Sequence, residues 1–207
     1  MRSIVTVASP ASVRALTTLE RVKAELGISD DASDSLLRAK IREASSDINA
    51  RAWADPFEAV TQTFWHVGCE EYLILQRRPN VSIASIAVDD VAVTDYRIDA
   101  GAGLLYRLNA SGYPVSWRAC KSIVVAFSAG YIMPGQNGAN LEPALEAACI
   151  ELLQSYWASR GRDPLIRSES VPGLGDVTYW VGAVGESGEL PPSVESRIEP
   201  FRRTVSI

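Results

Sequence analysis

One histidine and three cysteines bound the chemistry open to this chain. His66 lies in VTQTFWHV, where Thr61, Thr63, Trp65 and Val67 alternate with Gln62, Phe64 and His66. That is a strand's period, so His66 reads as a sheet residue. One histidine does not read as a zinc site, and it leaves few options for a triad. Cys69, Cys120 and Cys149 are odd in number, far apart and free of CxxC spacing. They read as buried thiols in a reducing compartment. Asp30, Asp31 and Asp34 are close enough to suggest calcium, but the loop lacks the sixth-position Gly and twelfth-position Glu of an EF-hand, so helix capping is the reading. Asp89-Asp90 reads as a turn. Gly173-Leu174-Gly175-Asp176 follows no strand and opens no long helix, so it is no phosphate loop. Ser128-Ala129-Gly130 lacks the frame of a nucleophile elbow. No catalytic residue, cofactor or metal site is predicted. The five Trp read as core or interface anchors, with Trp180, in a glycine-rich stretch, a candidate partner contact.

Composition narrows the class. At 47% hydrophobic and 22% charged the chain is globular material and not disordered. No apolar run reaches the ~18 residues that span a bilayer, so no membrane role is expected. A net charge of −5 argues against a protein that coats nucleic acid. MRSIVTVASPASVRALT lacks the continuous apolar core of a signal peptide and reads as mature sequence, an extended arm.

The elements that would position these residues follow from period and punctuation. Thr17-Thr18-Leu19-Glu20 carries a capping-box pattern; Leu19, Val22 and Leu26 mark a short helix that Gly27 closes. A second helix runs from about Ser35 to Ala52 on Leu36, Leu37, Ile41, Ala44 and Ile48. After Asp55-Pro56 the period switches to two. Strands are predicted within Val60–Tyr131: Thr61–Val67, Tyr72–Leu75, Val81–Val88, Tyr96–Asp99, Leu104–Leu108 and Ser122–Phe127, separated by turn residues.

The long central helix is the scaffold. LEPALEAACIELLQSYWASR, residues 141–160, places Leu141, Leu145, Ala148, Cys149, Leu152 and Tyr156 on one face, which Leu153 and Trp157 widen. Pro143 suits the first turn, and Gly161 with Pro164 ends the helix. Leu145, Leu152, Tyr156 and Trp157 are assigned to the core or a subunit interface. Near the C-terminus, Pro191-Pro192 leads into a short helix over Ser193–Arg203 that Pro200 would break or kink.

The expected fold is α+β: a helical core of an N-terminal helix pair, the long central helix and a short C-terminal helix, with an inserted antiparallel β region. It is read as one domain, 1–207, with the β-rich insert at 60–131 and a C-terminal docking segment at 190–207.

Several phrases, in this order, resemble phage head–tail connector (adaptor) proteins of long-tailed phages, prophages and gene-transfer particles. LTTLERVKAELGI with DDASDSLLRAKIREASSDINARA is similar to their two N-terminal helices. VTQTFW, DYRID with GAGLLY, VVAFSAGY, SYWASR and LPPSVESRIEPFRR resemble the larger members. The resemblance implies a non-enzymatic virion protein, made in the bacterial host cytoplasm. It implies a dodecameric ring beneath the portal protein, joined on its other side to a tail-side connector or stopper, with DNA passing through the channel without sequence-specific binding. Adaptor C-termini commonly dock onto the portal, so Arg197, Ile198, Phe201, Arg202 and Arg203 are candidate portal or neighbour contacts. The alternative reading is a ligand-binding module or enzyme whose β insert carries a pocket, which requires convergent polar groups.

Overall fold

A computed structural model describes residues 2–160, 168–171, 175–178 and 190–203. The chain begins with strand β1 (Arg2–Ser9), helix α1 (Leu19–Leu26) and helix α2 (Asp34–Arg51). Strands β2 (Glu58–Val67), β3 (Tyr72–Ile74), β4 (Ser82–Val88), β5 (Val91–Ala92), β6 (Tyr96–Asp99), β7 (Leu104–Leu108), β8 (Pro114–Val115) and β9 (Cys120–Ala129) follow. Helix α3 (Pro143–Ala158), strands β10 (Ser168–Val171) and β11 (Gly175–Thr178), and helix α4 (Pro192–Ile198) complete the order, with a 3-10 turn at Glu199–Phe201. These elements form two compact units: Met1–Arg14 with Trp53–Asn140, and Ala15–Ala52 with Leu141–Ile207.

The first unit is built on a five-stranded antiparallel sheet in the order β1-β2-β9-β4-β5. A smaller sheet, β3-β7-β6 with β8 beside β7, completes it. Alternate residues point inward, as the pleat dictates: Val60 and Phe64 of β2, and Ile123, Val125, Phe127 and Ala129 of β9, are buried. Leu73, Leu105 and Trp117 join the same core. Trp117 is fully buried and its indole N–H donates to the Leu105 carbonyl at 3.2 Å, which satisfies the one polar atom such a residue brings inside. Gly130 ends β9 at φ 116, where an added Cβ would lie 2.3 Å from the Pro56 carbonyl oxygen. Only glycine fits there.

This unit overturns the expected helical core with an inserted β region. The sheets enclose an apolar core of their own, and the outer strand β1 comes from ahead of both N-terminal helices. Residues 2–9 are therefore no free arm: they pair with β2 from Arg2↔Trp65 to Ser9↔Ala59. β1 half-buries Ser3, Val5 and Val7 and leaves Ile4 exposed, so its apolar signal is that of an edge, weak until its partner is in place.

In the second unit, α1 is capped by Thr18 and not by Thr17. The Thr18 hydroxyl accepts from the Arg21 N–H at 3.2 Å, whereas Thr17 is buried and donates to Glu146 at 3.1 Å. Gly27 closes α1 in the left-handed region, as predicted. Helix α2 buries Leu37, Ile41, Ala44, Ser45 and Ile48, while Leu36, expected on the same face, is 42% exposed. Helix α3 buries Leu145, Ala148, Cys149, Ile150, Leu152 and Leu153. It starts at Pro143 and ends at Ala158, with Ser159 as its C-cap, before Gly161, which lies outside the described residues. Pro200 falls in the 3-10 turn, so the C-terminal helix tightens and stops instead of running to Arg203.

Candidate functional site

The second unit carries an apolar groove. Leu36, Leu37 and Lys40 on α2 line it with Leu153, Tyr156, Trp157 and Arg160 at the end of α3, around a volume of about 180 Å³. The α3 residues recur at three- and four-residue steps and so share one stripe. Leu37 and Leu153 are buried at its floor; Leu36 is exposed at its lip. Both cations sit over aromatic rings, Lys40 at 5.1 Å from the Tyr156 ring and Arg160 at 3.8 Å from the Trp157 ring. Lys40 also pairs with Glu43 at 2.7 Å. The Tyr156 hydroxyl donates to Asp47 at 3.0 Å; burial first, then that hydrogen bond and the Asp47 charge, hold its pKa well above the ordinary range. The predicted set thus divides: Leu145 and Leu152 belong to the core of this unit, while Tyr156 and Trp157 stand half-exposed at the groove.

The C-terminal candidates lie against their own unit. Arg197 pairs with Glu151 at 2.7 Å, and Arg202 with Glu199 at 3.1 Å. A hydrogen bond from Ser193, and then the Arg197 partner, hold the Glu151 carboxyl below its ordinary range against the effect of burial. Arg203 caps the end of α2, its guanidinium donating to the Ala52 carbonyl at 2.9 Å and Asn49 at 3.0 Å, and its N–H to the Arg51 carbonyl at 2.8 Å. Phe201 is half-buried. Ile198 is 1% exposed, packed in the unit's core with Leu190 and Val194, so it is not available as a surface anchor. Apolar residues at helical spacing on a short terminal helix look alike whether they face a partner or their own domain. Trp180 lies outside the described residues.

Sequence reasoning missed a buried ion cluster in the first unit. The side chains of Asp55 and Glu58 are 3% and 1% exposed, and Arg77 pairs with Asp55 while lying 3.9 Å from Glu58. Arg14 pairs with the same Glu58 carboxylate, which also accepts the Ala11 N–H at 2.9 Å. The available signal was an acid opening an otherwise apolar alternating strand, a residue type rarely buried unless paired. A second buried polar group, Gln62, bridges Ser3, the Ile74 carbonyl and the Gln76 N–H, tying β1 and β3 to β2.

The remaining candidates take structural places. His66 is exposed at φ 52. Asp31 and Asp34 hold the Lys23 ammonium at 2.6 and 2.9 Å. Cys149 is buried and its thiol is pushed up to about 12, mainly by desolvation, which keeps it protonated and unreactive. Cys69 is exposed and Cys120 half-buried, so burial of all three thiols does not hold. Among the described residues no group of three His, Cys, Asp or Glu could hold a metal ion. None of the described helices is long and apolar enough to cross a membrane.

Residues 16–99 match the family of phage gp6-like head-tail connector proteins, which bears out the resemblance read from the sequence. No curated protein matches the chain. Its fold is similar to that of a chain in the virion of a native gene transfer agent (GTA) particle, at 15% identity and a TM-score of 0.59, covering 99% of this chain and 97% of that one. Chains in the neck of an empty GTA particle computed with C6 symmetry and of a native one computed with C12 symmetry cover the same shares at 16% identity, with TM-scores of 0.60 and 0.54. At these identities the likeness establishes the fold.

Proposed function

We propose that this chain is a structural head–tail connector that forms a ring beneath the portal and joins a DNA-filled head to a tail. The carrying observation is the pairing of a head-tail connector family match over residues 16–99 with a neck-protein fold that extends over 99% of the chain. The C6 and C12 symmetries of those necks support a ring of identical copies, dodecameric in the second case. The apolar groove and the exposed edge strand β1 are the kind of surface that an assembly protein leaves for partners.

On this reading, the surface offered to the portal is the outer side of the C-terminal segment. There Pro192, Glu195, Ser196, Glu199 and Pro200 form an open surface, and the side chains of Arg197 and Arg202 are 51% and 52% exposed. The experiment is electron microscopy of particles from cells with and without the gene. Loss of a ring of density between portal and tail, with accumulation of tailless filled heads, is the expected result. Tailed particles at normal yield without the protein would refute the reading.

A further inference from the structure

We propose that the groove between α2 and α3 is one half of the contact between neighbouring copies, and that its occupant is the β4–β5 hairpin tip, residues 90–92, of the next copy. The inference rests on the ring reading above. A closed ring of more than two identical chains needs a heterologous interface, in which each copy presents two different, complementary patches.

The groove supplies the concave patch. Its floor and walls are apolar (Leu36, Leu37, Leu153, Trp157), and Arg160 lies at its rim over Trp157. Arg160 forms no ion pair among the described residues. The hairpin supplies the convex patch. Asp89 at φ 45 and Asp90 at φ 67 make the tight turn, and the Asp89 carboxylate accepts the Lys121 and Ser122 N–H groups at 3.0 and 2.9 Å. Those bonds hold the turn in shape. They leave the neighbouring Asp90 carboxylate exposed, with no ion pair among the described residues, beside Val91, which is 68% exposed.

Among the described residues, each patch therefore carries a charge without an ion pair, of opposite sign, next to an exposed apolar surface. Val91 matches the Leu36–Trp157 trough, and Asp90 matches the Arg160 guanidinium. The groove's volume of about 180 Å³ suits one branched aliphatic side chain with its carboxylate neighbour left outside, since a ~150 Å³ apolar cavity already admits benzene. Two other exposed apolar patches fit less well. Tyr72 and Ile74, each 40% exposed, lie on a sheet face beside Tyr106, which offers no knob. Tyr113 is 70% exposed on a turn that carries no carboxylate.

The test places Leu36→Cys and Val91→Cys together in a Cys69→Ser chain, assembled into particles, oxidised and run without reductant. Each copy then offers both cysteines, so the expected product is a ladder of covalent oligomers beyond the dimer, absent from either single variant. Arg160→Glu and Asp90→Lys should each lower incorporation at least tenfold, and the double reversal should restore it. All these positions are exposed, and unchanged melting temperatures establish that the variants fold. Rings visible by microscopy with monomers or dimers only on the gel would overturn the contact while leaving the ring reading intact. Wild-type particles with no ring of this protein would overturn both.

Discussion

Tyr156 donates its hydroxyl to the Asp47 carboxylate at 3.0 Å, joining the last turns of α3 and α2 across 109 residues of sequence. The bond fixes the aromatic wall of the groove, and the Lys40 ammonium over the ring reinforces its position. Tyr156→Phe keeps the ring and removes the bond. Hydrogen bonds to charged groups contribute about 1.5–3 kcal/mol, and partial exposure puts this one at the low end. The hydroxyl's folded pKa is raised above its ordinary 10.0, so its contribution is complete below that pH and is lost as pH rises through the folded value. Thermal melts should show wild type falling more steeply than Tyr156→Phe above pH ~10. Parallel curves across that range would refute the assignment.

Leu152 and Trp157 separate core from surface on one helix. Leu152 is 1% exposed, so Leu152→Ala should cost about 2–5 kcal/mol in chemical denaturation. Trp157 is half-exposed at the groove, and Trp157→Ala should cost well under the roughly 3–5 kcal/mol of a buried aromatic. Its effect on particle incorporation should exceed its effect on stability. A Trp157→Ala variant as unstable as Leu152→Ala would place the indole in the core.

Arg77→Ala tests the buried ion cluster. It takes the Arg77 guanidinium away from the Asp55 carboxylate, which is 3% exposed, and removing one member of a buried pair costs about 3–5 kcal/mol. Arg14→Ala should cost less, because the Arg14 side chain is 54% exposed and solvent screens its pairing with Glu58. Equal losses for the two variants would contradict this division.

Truncation after Gly188 distinguishes folding from docking. The segment carries Leu190, Val194 and Ile198 at 6%, 0% and 1% exposure and caps α2 through Arg203, so it is part of its unit's fold as well as a candidate docking segment. Truncated protein should therefore melt earlier and show faster proteolysis of Ala15–Ala52. The double variant Arg197→Glu/Arg202→Glu removes two surface ion pairs instead, each contributing about 0–1 kcal/mol, so it should fold normally. If that variant still attaches to portal-bearing heads at wild-type levels, the portal contact lies elsewhere.

Local patterns in the sequence determined the individual elements. The switch from a period near 3.6 to a period of 2 after Asp55-Pro56, the glycine after Leu26 and the proline at the start of α3 are each written within one turn or strand. Strands Tyr96–Asp99 and Leu104–Leu108 fall where the alternation places them. The tertiary structure decided what those patterns could not carry. β1 buries only one face at a sheet edge, so its identity depends on β2 some fifty residues later. The Thr-x-x-Glu spacing marks Thr17 as the cap of α1, but Thr17 engages Glu146 from α3 and Thr18 caps the helix. The Arg14, Asp55, Glu58 and Arg77 cluster draws from three separate stretches, and the groove is made by residues of α2 and α3 that meet only on packing. Periodicity records which face of an element turns inward; it does not record which other element that face meets.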